Sequence, residues 1–293
     1  EYNPFECINT NINGAINLID AAIDRGVKRV IALSTDKASS PINLYGATKL
    51  VSDKLFISGN SYVGNNATKF SVVRYGNVLG SRGSFIPFLI NNPNIPYIPI
   101  TDKRMTRFIL SIKDGVELVW KSLEDCFGGE IYVKKTPSIK IVDMAKYLIP
   151  NKEYKIIGIK PGEKIHEEMI SIHEGPQTYE YDEFYKILPT INDWHLDKKR
   201  VGELNRDRGQ QVISHDFSPV SPVQMHLRNH LGEIKHSISQ MSQEVRSGLV
   251  ANKFSLHGEV KTIVSNSEPE LVLGQIQFGT SEDAVNIPGH PTL

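Results

Sequence analysis

The residues best suited to chemistry lie close together near the start of the chain. The tetrad STDK at residues 34–37 supplies a carboxyl group and an amine, and the pentad YGATK at residues 45–49 supplies a phenol and a second amine. Tyr45 and Lys49 are four positions apart, so they share one face of a helix. Since a nearby ammonium favours a phenolate, this spacing predicts that Lys49 lowers the pKa of Tyr45. Such a set of groups can transfer protons and assist hydride transfer.

The elements that must position these groups are predicted to alternate helix, strand and helix. Residues 13–25 carry apolar side chains at helical spacing, and Gly26 is a natural stop. The apolar, β-branched run 27–34 predicts a buried parallel strand, and a second helix is expected to begin near Leu44. Ligands in such folds bind beyond the carboxyl ends of the strands, where the STDK tetrad falls. The stripe of the first helix consists of Ile16, Leu18, Ile19, Ala22 and Ile23.

A strand-then-turn segment later in the chain strengthens the interpretation that the tetrad and the pentad form one chemical site. A Tyr-x-x-x-Lys pair alone is common on helix surfaces, but here it lies between the STDK tetrad and a strand-then-turn segment at residues 72–80. With a TNING helix opening at 10–14 and an RYGN turn at 74–77, the chain resembles the extended short-chain dehydrogenase/reductase superfamily. That superfamily contains the nucleotide-sugar epimerases and dehydratases.

Within the superfamily, the likeness is to the inverting UDP-N-acetylglucosamine 4,6-dehydratases, which begin pseudaminic acid-type synthesis. It covers roughly residues 1–190 and includes the segments at 105–108 and 161–169. Asp36 and Lys37 are its specific part, because many epimerases of the superfamily have Ser or Thr there. The alternative for these two residues is a solvated ion pair in a loop.

The resemblance implies a role for each group around the sugar. Tyr45, kept anionic by Lys49, takes the proton of the 4-hydroxyl while hydride passes from C4 to a nicotinamide. Lys37 removes the C5 proton as a base, and Asp36 donates a proton to the departing 6-hydroxyl. Thr35 hydrogen-bonds the 4-hydroxyl. Return of the hydride to C6 and reprotonation of C5 from the opposite face would give inversion.

The resemblance also implies which residues hold the cofactor and the substrate. The cofactor is expected to be NADP or NAD, bound by Tyr45, Lys49, Asn11, Ser34 and Asn77. The substrate is expected to be UDP-N-acetylglucosamine, bound by Arg82, Arg107, Glu163 and Asn77. Arg107 is preferred for the diphosphate, because the planar fork of arginine matches phosphate oxygens better than lysine does. A basic surface segment is the alternative for the cations around it.

The fold is expected to be α/β, with a partial Rossmann-type parallel sheet. Residues 1–84 are assigned to the C-terminal half of a Rossmann dinucleotide-binding domain. Residues 85–207 are assigned to a smaller α/β portion that binds the UDP-sugar and returns strands to the core. Residues 208–293 do not resemble the family, and there a heptad-like stripe predicts a C-terminal helix followed by short strands. This helix either packs on its own domain or forms a contact between subunits.

The front of a dinucleotide-binding fold is not found in the sequence. Such a fold opens with a strand, a glycine-rich turn and a helix, but no glycine motif of that kind occurs before Asn9. At about 30 residues per βαβ unit, roughly 80–100 residues are expected to be missing. The chain as given is therefore expected to bind the cofactor poorly and to expose one edge of its sheet.

Composition limits the partners. The chain has 33 basic and 33 acidic residues, so no electrostatic footprint for nucleic acid is expected. Cys7 and Cys126 belong to no motif, which fits a reduced, cytoplasmic protein. No apolar run approaches the ~20 residues that span a bilayer. His166 and His173 have no third ligand at suitable spacing, so no metal is expected. A homo-oligomer is expected by resemblance.

Two other functions remain open. The first is another enzyme of the superfamily, either a UDP-sugar 4-epimerase or a retaining 4,6-dehydratase. Asp36 and Lys37 argue against a simple epimerase, and Tyr45 argues against the retaining dehydratases, which usually lack that tyrosine. The second is a non-catalytic remnant that acts as an assembly subunit, which the missing glycine turn motivates.

Overall fold

The computed structural model describes residues 2–64 and 67–190, together with the backbone of residues 210 and 211. Its helices are α1 (Pro4–Ile8), α2 (Gly14–Asp24), α3 (Leu44–Gly59), α4 (Phe85–Asn91), α5 (Ile112–Asp125) and α6 (Ile141–Leu148). A π-helical stretch (Asn9–Asn13) joins α1 to α2, and short 3-10 turns occupy Asp36–Ala38 and Gly175–Gln177. The helix and strands predicted after residue 208 lie outside the described residues.

The strands form one large and two small sheets. They are β1 (Arg29–Leu33), β2 (Lys69–Arg74), β3 (Asn77–Val78), β4 (Ile98–Ile100), β5 (Thr106–Leu110), β6 (Ile131–Lys134), β7 (Ser138–Lys140), β8 (Tyr154–Ile156), β9 (Thr178–Glu180), β10 (Phe184–Ile187) and β11 (Gln210–Gln211). The large sheet has the order β1-β2-β6-β10-β9-β11, and the small sheets have the orders β3-β5-β7 and β4-β8.

The parallel part of the large sheet brings the predicted site segments together. Strands β1, β2 and β6 are parallel, and Leu33 lies opposite Val73. The chain therefore leaves β1 and β2 at the same edge, where the backbone N–H of Asp36 donates to the carbonyl of Tyr75 over 3.2 Å. This arrangement confirms the predicted α/β fold with a Rossmann-type parallel sheet. Among the described strands, β1 pairs only with β2.

Strands from later in the chain return to the large sheet, while others form the smaller portion. Strands β6, β9 and β10 join the large sheet, with β10 antiparallel to β6. The smaller portion packs closely on the turn after β2, because a Cβ atom at Gly76 would lie 2.6 Å from the Cβ of Phe108. Only glycine permits this approach. The domain boundaries at residues 84 and 207 stay predictions.

The core lies on both faces of β2, whose apolar side chains are fully buried. Phe70 and Val72 pack in the same cluster as the inner face of α2. That inner face contains Ala15, Ile19 and Ala22, whereas Ile16 is 40% exposed. The predicted stripe was therefore wrong at Ile16, because Ala15 points to the sheet in its place. In the described part of the chain, each helix is too short or too polar to cross a membrane.

A buried ionic network fixes the carboxyl ends of β1 and β2. Arg74 ends β2 with its side chain fully buried, and its guanidinium donates two hydrogen bonds of 3.0 Å to the carboxylate of Glu174. It also lies 3.5 Å from the carboxylate of Asp53 on α3, which accepts a 2.7 Å bond from Ser34. A further bond of 3.1 Å reaches the carbonyl of Met169. One side chain thus connects two strands, a helix and the segment before β9.

The charges of this network depend on one another. Burial alone would lower the pKa of Arg74, but the carboxylates of Glu174 and Asp53 outweigh burial and raise it. Burial raises the pKa of Glu174 and Arg74 lowers it, and the balance leaves that pKa below its ordinary value. Removal of the arginine would therefore leave two carboxylates buried without their counter-charge.

We predict that Arg74→Met destabilises the protein by about 3–5 kcal/mol, since breaking a buried ion pair leaves uncompensated charge. Urea unfolding followed by circular dichroism measures the loss. Arg29→Met is the matched control, because Arg29 also lies on a strand but is exposed. Its effect should stay within about 0.5 kcal/mol. Equal effects of the two substitutions would show that the network does not hold the strands together.

Candidate active site

The turn that follows β1 holds Thr35, Asp36 and Lys37 in one hydrogen-bonded group. The hydroxyl of Thr35 donates to Asp36 Oδ1 over 2.9 Å and accepts from the backbone N–H of Lys37 over 3.3 Å. The amine of Lys37 donates to the same Asp36 oxygen over 3.0 Å. Asp36 is fully buried, whereas the Lys37 side chain is 29% exposed. The solvated loop pair considered above therefore does not describe this carboxylate.

The first turn of α3 packs directly on this group. Asn43 caps the helix, and its Oδ1 accepts from the backbone N–H of Gly46 over 2.7 Å. A Cβ atom at Gly46 would lie only 2.2 Å from the carbonyl oxygen of Lys37. The glycine of the YGATK pentad is thus required by the close approach of the helix to the turn. This packing sets Tyr45 beside Thr35 and Asp36.

Tyr45 carries a raised pKa in this setting. Burial, with a further contribution from the charge of Asp36, raises the pKa of Tyr45 to about 12, although a hydrogen bond with Thr35 opposes both effects. The prediction that Lys49 lowers this pKa was wrong. Lys49 is 7% exposed, and its amine donates over 2.7 Å to the carbonyl of Leu33 at the end of β1. Burial also lowers the pKa of Lys49 itself.

Ser34 and Asn11 lie next to this group but contact α3. Ser34 donates to Asp53, as described above, and Asn11 donates over 2.9 Å to the hydroxyl of Thr48. Both side chains therefore support the helix that carries Tyr45. The Oδ1 atom of Asn11 is buried without a hydrogen-bond partner among the described residues. A cofactor-binding role for Ser34 and Asn11 stays a prediction.

A second group of predicted residues lines a cavity of about 390 Å³ between β3, β5 and α4. Asn77, Arg107 and Glu163 all line it, whereas the exposed Arg82 does not. Arg107 is oriented by bonds from its guanidinium to the carbonyls of Thr106 (2.7 Å) and residue 165 (3.2 Å). Three of the four predicted substrate-binding residues thus lie together. Asp36, Lys37 and Tyr45 are not in the wall of this cavity.

One segment, residues 162–168, connects the two groups. Asn43 Nδ2 donates to the carbonyl of Gly162 over 2.8 Å, and the amine of Lys164 donates to the carbonyl of Ser39 over 2.7 Å. The carboxylate of Glu167 then lies 3.6 Å from the amine of Lys37. The sequence makes both Glu163 and Glu167 candidates to hold a ribose or to orient an arginine, and it does not predict the contact of Glu167 with Lys37. The Pro-Gly-Glu pattern marks this segment, but the segment has no helix or strand period that could rank its three glutamates, Glu163, Glu167 and Glu168.

Glu167 and His166 have perturbed pKa values for different reasons. Burial raises the pKa of Glu167, and Asp36 adds to this, although Lys37 opposes it. Burial lowers the pKa of His166, and Arg104 lowers it further. His166 Nδ1 lies 2.8 Å from the hydroxyl of Thr106. Across the described residues, no group of three or more His, Cys, Asp or Glu side chains could hold a metal ion.

We predict that Gly46→Ala destabilises the protein by about 1–3 kcal/mol, because the added methyl group forces α3 away from the Lys37 carbonyl. Chemical unfolding measures the change. Ala47→Ser, at the exposed next position on the same helix turn, is the control and should be close to neutral. A Gly46→Ala variant as stable as this control would mean that the turn and the helix do not pack as described.

The raised pKa of Tyr45 predicts a stability change at alkaline pH. Because the folded-state value of about 12 exceeds the ordinary value near 10, the neutral phenol stabilises the fold up to pH 10. This contribution is lost as pH rises toward 12. Relative to Tyr45→Phe, the free energy of unfolding should fall by roughly 2–3 kcal/mol across this window. If the difference in unfolding free energy between wild type and Tyr45→Phe stays constant over this pH range, the burial of the phenol is contradicted. Tyr62→Phe, at an exposed tyrosine, controls for the loss of a hydroxyl group.

Known proteins resemble this chain over much of its length. The family model described as "Polysaccharide biosynthesis protein" matches residues 1–189. A UDP-N-acetylglucosamine 4,6-dehydratase (inverting) from Campylobacter jejuni is 53% identical over 216 residues, covering 72% of this chain and 64% of that protein. A UDP-glucose 4-epimerase from Rickettsia conorii is 40% identical over 192 residues, covering 64% of this chain and 56% of that protein.

A solved structure is also similar. The X-ray structure of Pen from Bacillus thuringiensis aligns with a TM-score of 0.66 at 34% identity, covering 80% of this chain and 71% of that chain. This likeness supports the α/β fold assignment. The alignments to the two enzymes named above cover less than two thirds of their lengths.

Proposed function

The chain belongs to the polysaccharide biosynthesis protein family, and we propose that it carries the catalytic groups of an NAD(P)-dependent, inverting UDP-N-acetylglucosamine 4,6-dehydratase. The observation that carries this proposal is the Asp36–Lys37 pair, bonded over 3.0 Å beside Tyr45. A 4,6-dehydration needs a base for the C5 proton and an acid for the leaving 6-hydroxyl. An amine and a carboxyl group held together at one turn supply both.

The proposed roles follow from the contacts of each side chain. Tyr45 accepts the proton of the sugar 4-hydroxyl, and its hydrogen bond with Thr35 orients the phenol. Lys37, which is partly exposed, takes the C5 proton. Asp36 gives a proton to the 6-hydroxyl through Oδ2, which is buried and has no hydrogen-bond partner among the described residues. General acid–base groups of this kind contribute about 10²–10⁴-fold each.

The residues near β1 fit the nicotinamide end of a dinucleotide. Lys49 uses one of its three N–H donors on the carbonyl of Leu33, which leaves two for a ligand. Together with Tyr45 it offers donors for ribose hydroxyls. When bound, the oxidised nicotinamide supplies a hydride acceptor and a positive charge that opposes the carboxylates raising the pKa of Tyr45. The proposal covers both NAD and NADP.

The cavity between β3, β5 and α4 fits the nucleotide part of the substrate. Arg107 offers a guanidinium for diphosphate oxygens, and Glu163 offers a carboxylate for hydroxyl groups on the same wall. The carboxamide oxygen of Asn77 is buried there without a hydrogen-bond partner among the described residues. Residues 162–168 link this cavity to Lys37, so a UDP-sugar in it would extend toward the catalytic turn.

A UDP-sugar 4-epimerase is the second candidate, because one relative carries that name. A 4-epimerase needs the tyrosine and the hydride acceptor but no group to expel the 6-hydroxyl. The buried carboxyl of Asp36 and the adjacent amine favour the dehydratase. We further propose a cytoplasmic homo-oligomer at the start of pseudaminic acid-type synthesis. The free thiols of Cys7 and Cys126 agree with a reducing compartment.

We predict that the full-length gene product converts UDP-N-acetylglucosamine to a 4-keto-6-deoxy sugar with deuterium at C5 when the reaction runs in heavy water. NMR follows the product directly. Lys37→Met should lower the rate at least about 100-fold, because it removes the C5 base. Lys54→Met, at an exposed lysine on α3, is the control and should keep the wild-type rate.

Three outcomes would contradict the proposal. Product without deuterium at C5 would exclude proton exchange at Lys37. A Lys37→Met variant as active as the control would remove Lys37 from the chemistry. A product that retains its 6-hydroxyl and differs only in the configuration at C4 would identify the epimerase instead.

A further inference from the structure

The amine of Lys37 lies between two carboxylates, and the reaction outlined above uses only one of them. Asp36 Oδ1 lies 3.0 Å from the amine, and Glu167 Oε1 lies 3.6 Å from it on the opposite segment. Glu167 is 3% exposed, and its Oε2 is buried without a hydrogen-bond partner among the described residues. A carboxylate buried this deeply is costly unless a nearby positive charge compensates for it.

We propose that Glu167 is a positioning residue for the base Lys37, holding its amine toward the sugar and balancing the charge it gains. This inference rests on the proposed dehydratase function. When the C5–H bond breaks, the proton passes to the amine of Lys37. The electron pair of that bond forms the C5–C6 double bond as the 6-hydroxyl leaves with a proton from Asp36. The new ammonium then lies against the Glu167 carboxylate.

The surroundings of Glu167 fit this role. Lys164 is held by its bond to Ser39, and its amine lies 4.0 Å from Glu167 Oε2. The segment that carries Glu167 is therefore hydrogen-bonded to the residue that follows the turn with Asp36 and Lys37. The charged groups that influence Glu167 are Lys37 and Asp36 from that turn, Arg107 from β5 and Lys164 from its own segment.

Glu163, four positions earlier, has different surroundings. Its carboxylate accepts from the backbone N–H of Lys160 over 3.3 Å, and it lines the separate cavity that contains Arg107. Glu168 also differs, because its carboxylate accepts a 2.8 Å hydrogen bond from Ser40 near the surface. Of the three glutamates at 163, 167 and 168, only Glu167 forms an ion pair with Lys37. Glu168 is therefore a matched control for Glu167.

The first test compares Glu167→Gln with Glu168→Gln in the full-length gene product. Lys37 must be neutral to accept a proton, and a neighbouring carboxylate favours its charged form. Glu167→Gln should therefore move the acidic limb of the kcat–pH profile lower by about one pH unit. Lost orientation of the amine should lower the plateau kcat about tenfold with little change in KM. Glu168→Gln should leave the profile and kcat unchanged.

A second readout does not need activity. Reductive methylation with ¹³C-formaldehyde labels lysine amines, and Lys37→Arg identifies the Lys37 signal by its loss. In Glu167→Gln this signal should titrate about one pH unit lower than in wild type and Glu168→Gln. A purely structural role of Glu167 would not move it.

The two readouts separate failure of this inference from failure of the proposed function. If wild type forms no 4-keto product but the NMR signal shifts in Glu167→Gln, the function is wrong and the coupling of Glu167 to Lys37 stands. If product carries deuterium at C5 and neither the pH profile nor the signal shifts in Glu167→Gln, the function stands and the role of Glu167 is overturned.

Discussion

The fold around the site depends on the burial of one arginine between two carboxylates. Arg74 cannot stay in the interior without Glu174 and Asp53, and those groups come from α3 and from the segment before β9. Because Asp53 also accepts from Ser34, the network sets the distance between the ends of β1 and β2. The turn that holds Asp36 and Lys37 begins one residue after Ser34. The buried ionic network therefore fixes the geometry of this turn on its interior side, in addition to apolar packing.

The solvent-facing side of the site is built differently, from two groups of residues that lie on separate parts of the chain. The turn with Asp36 and Lys37 carries the proposed proton transfers, and the cavity with Arg107 and Asn77 is suited to a nucleotide. Residues 162–168 touch both, through bonds to Asn43 and Ser39 on one side and to Arg107 on the other. In the proposed function, this division lets a nucleotide-sugar bind at one end and react at the other.

Local sequence patterns predicted much of this arrangement. The apolar run before Ser34 identified β1, because a short β-branched run is typical of a buried strand, and the four-residue spacing of Tyr45 and Lys49 agreed with α3. The position of the tetrad followed, since parallel strands place their carboxyl ends at one edge. The close contact of Gly46 with the Lys37 carbonyl gives a physical reason for the glycine in the pentad.

Contacts between distant segments could not be predicted in the same way. The raised pKa of Tyr45 depends on burial and on Asp36, and neither is visible in the four-residue spacing to Lys49. The approach of Glu167 to Lys37 joins positions 130 residues apart through a segment without regular structure. Similarly, the sequence alone gives no sign that Asp53, a polar residue on a helix, forms a buried ion pair with Arg74.

The most direct test of the central claim is a crystal structure of the full-length gene product with UDP-N-acetylglucosamine bound. We expect the amine of Lys37 to lie within about 3.5 Å of C5, the distance of a reactive geometry. We also expect the carboxyl group of Asp36 to face the 6-hydroxyl. A sugar that contacts Tyr45 while Asp36 and Lys37 remain bonded only to each other and to the protein would contradict the proposed roles of Asp36 and Lys37.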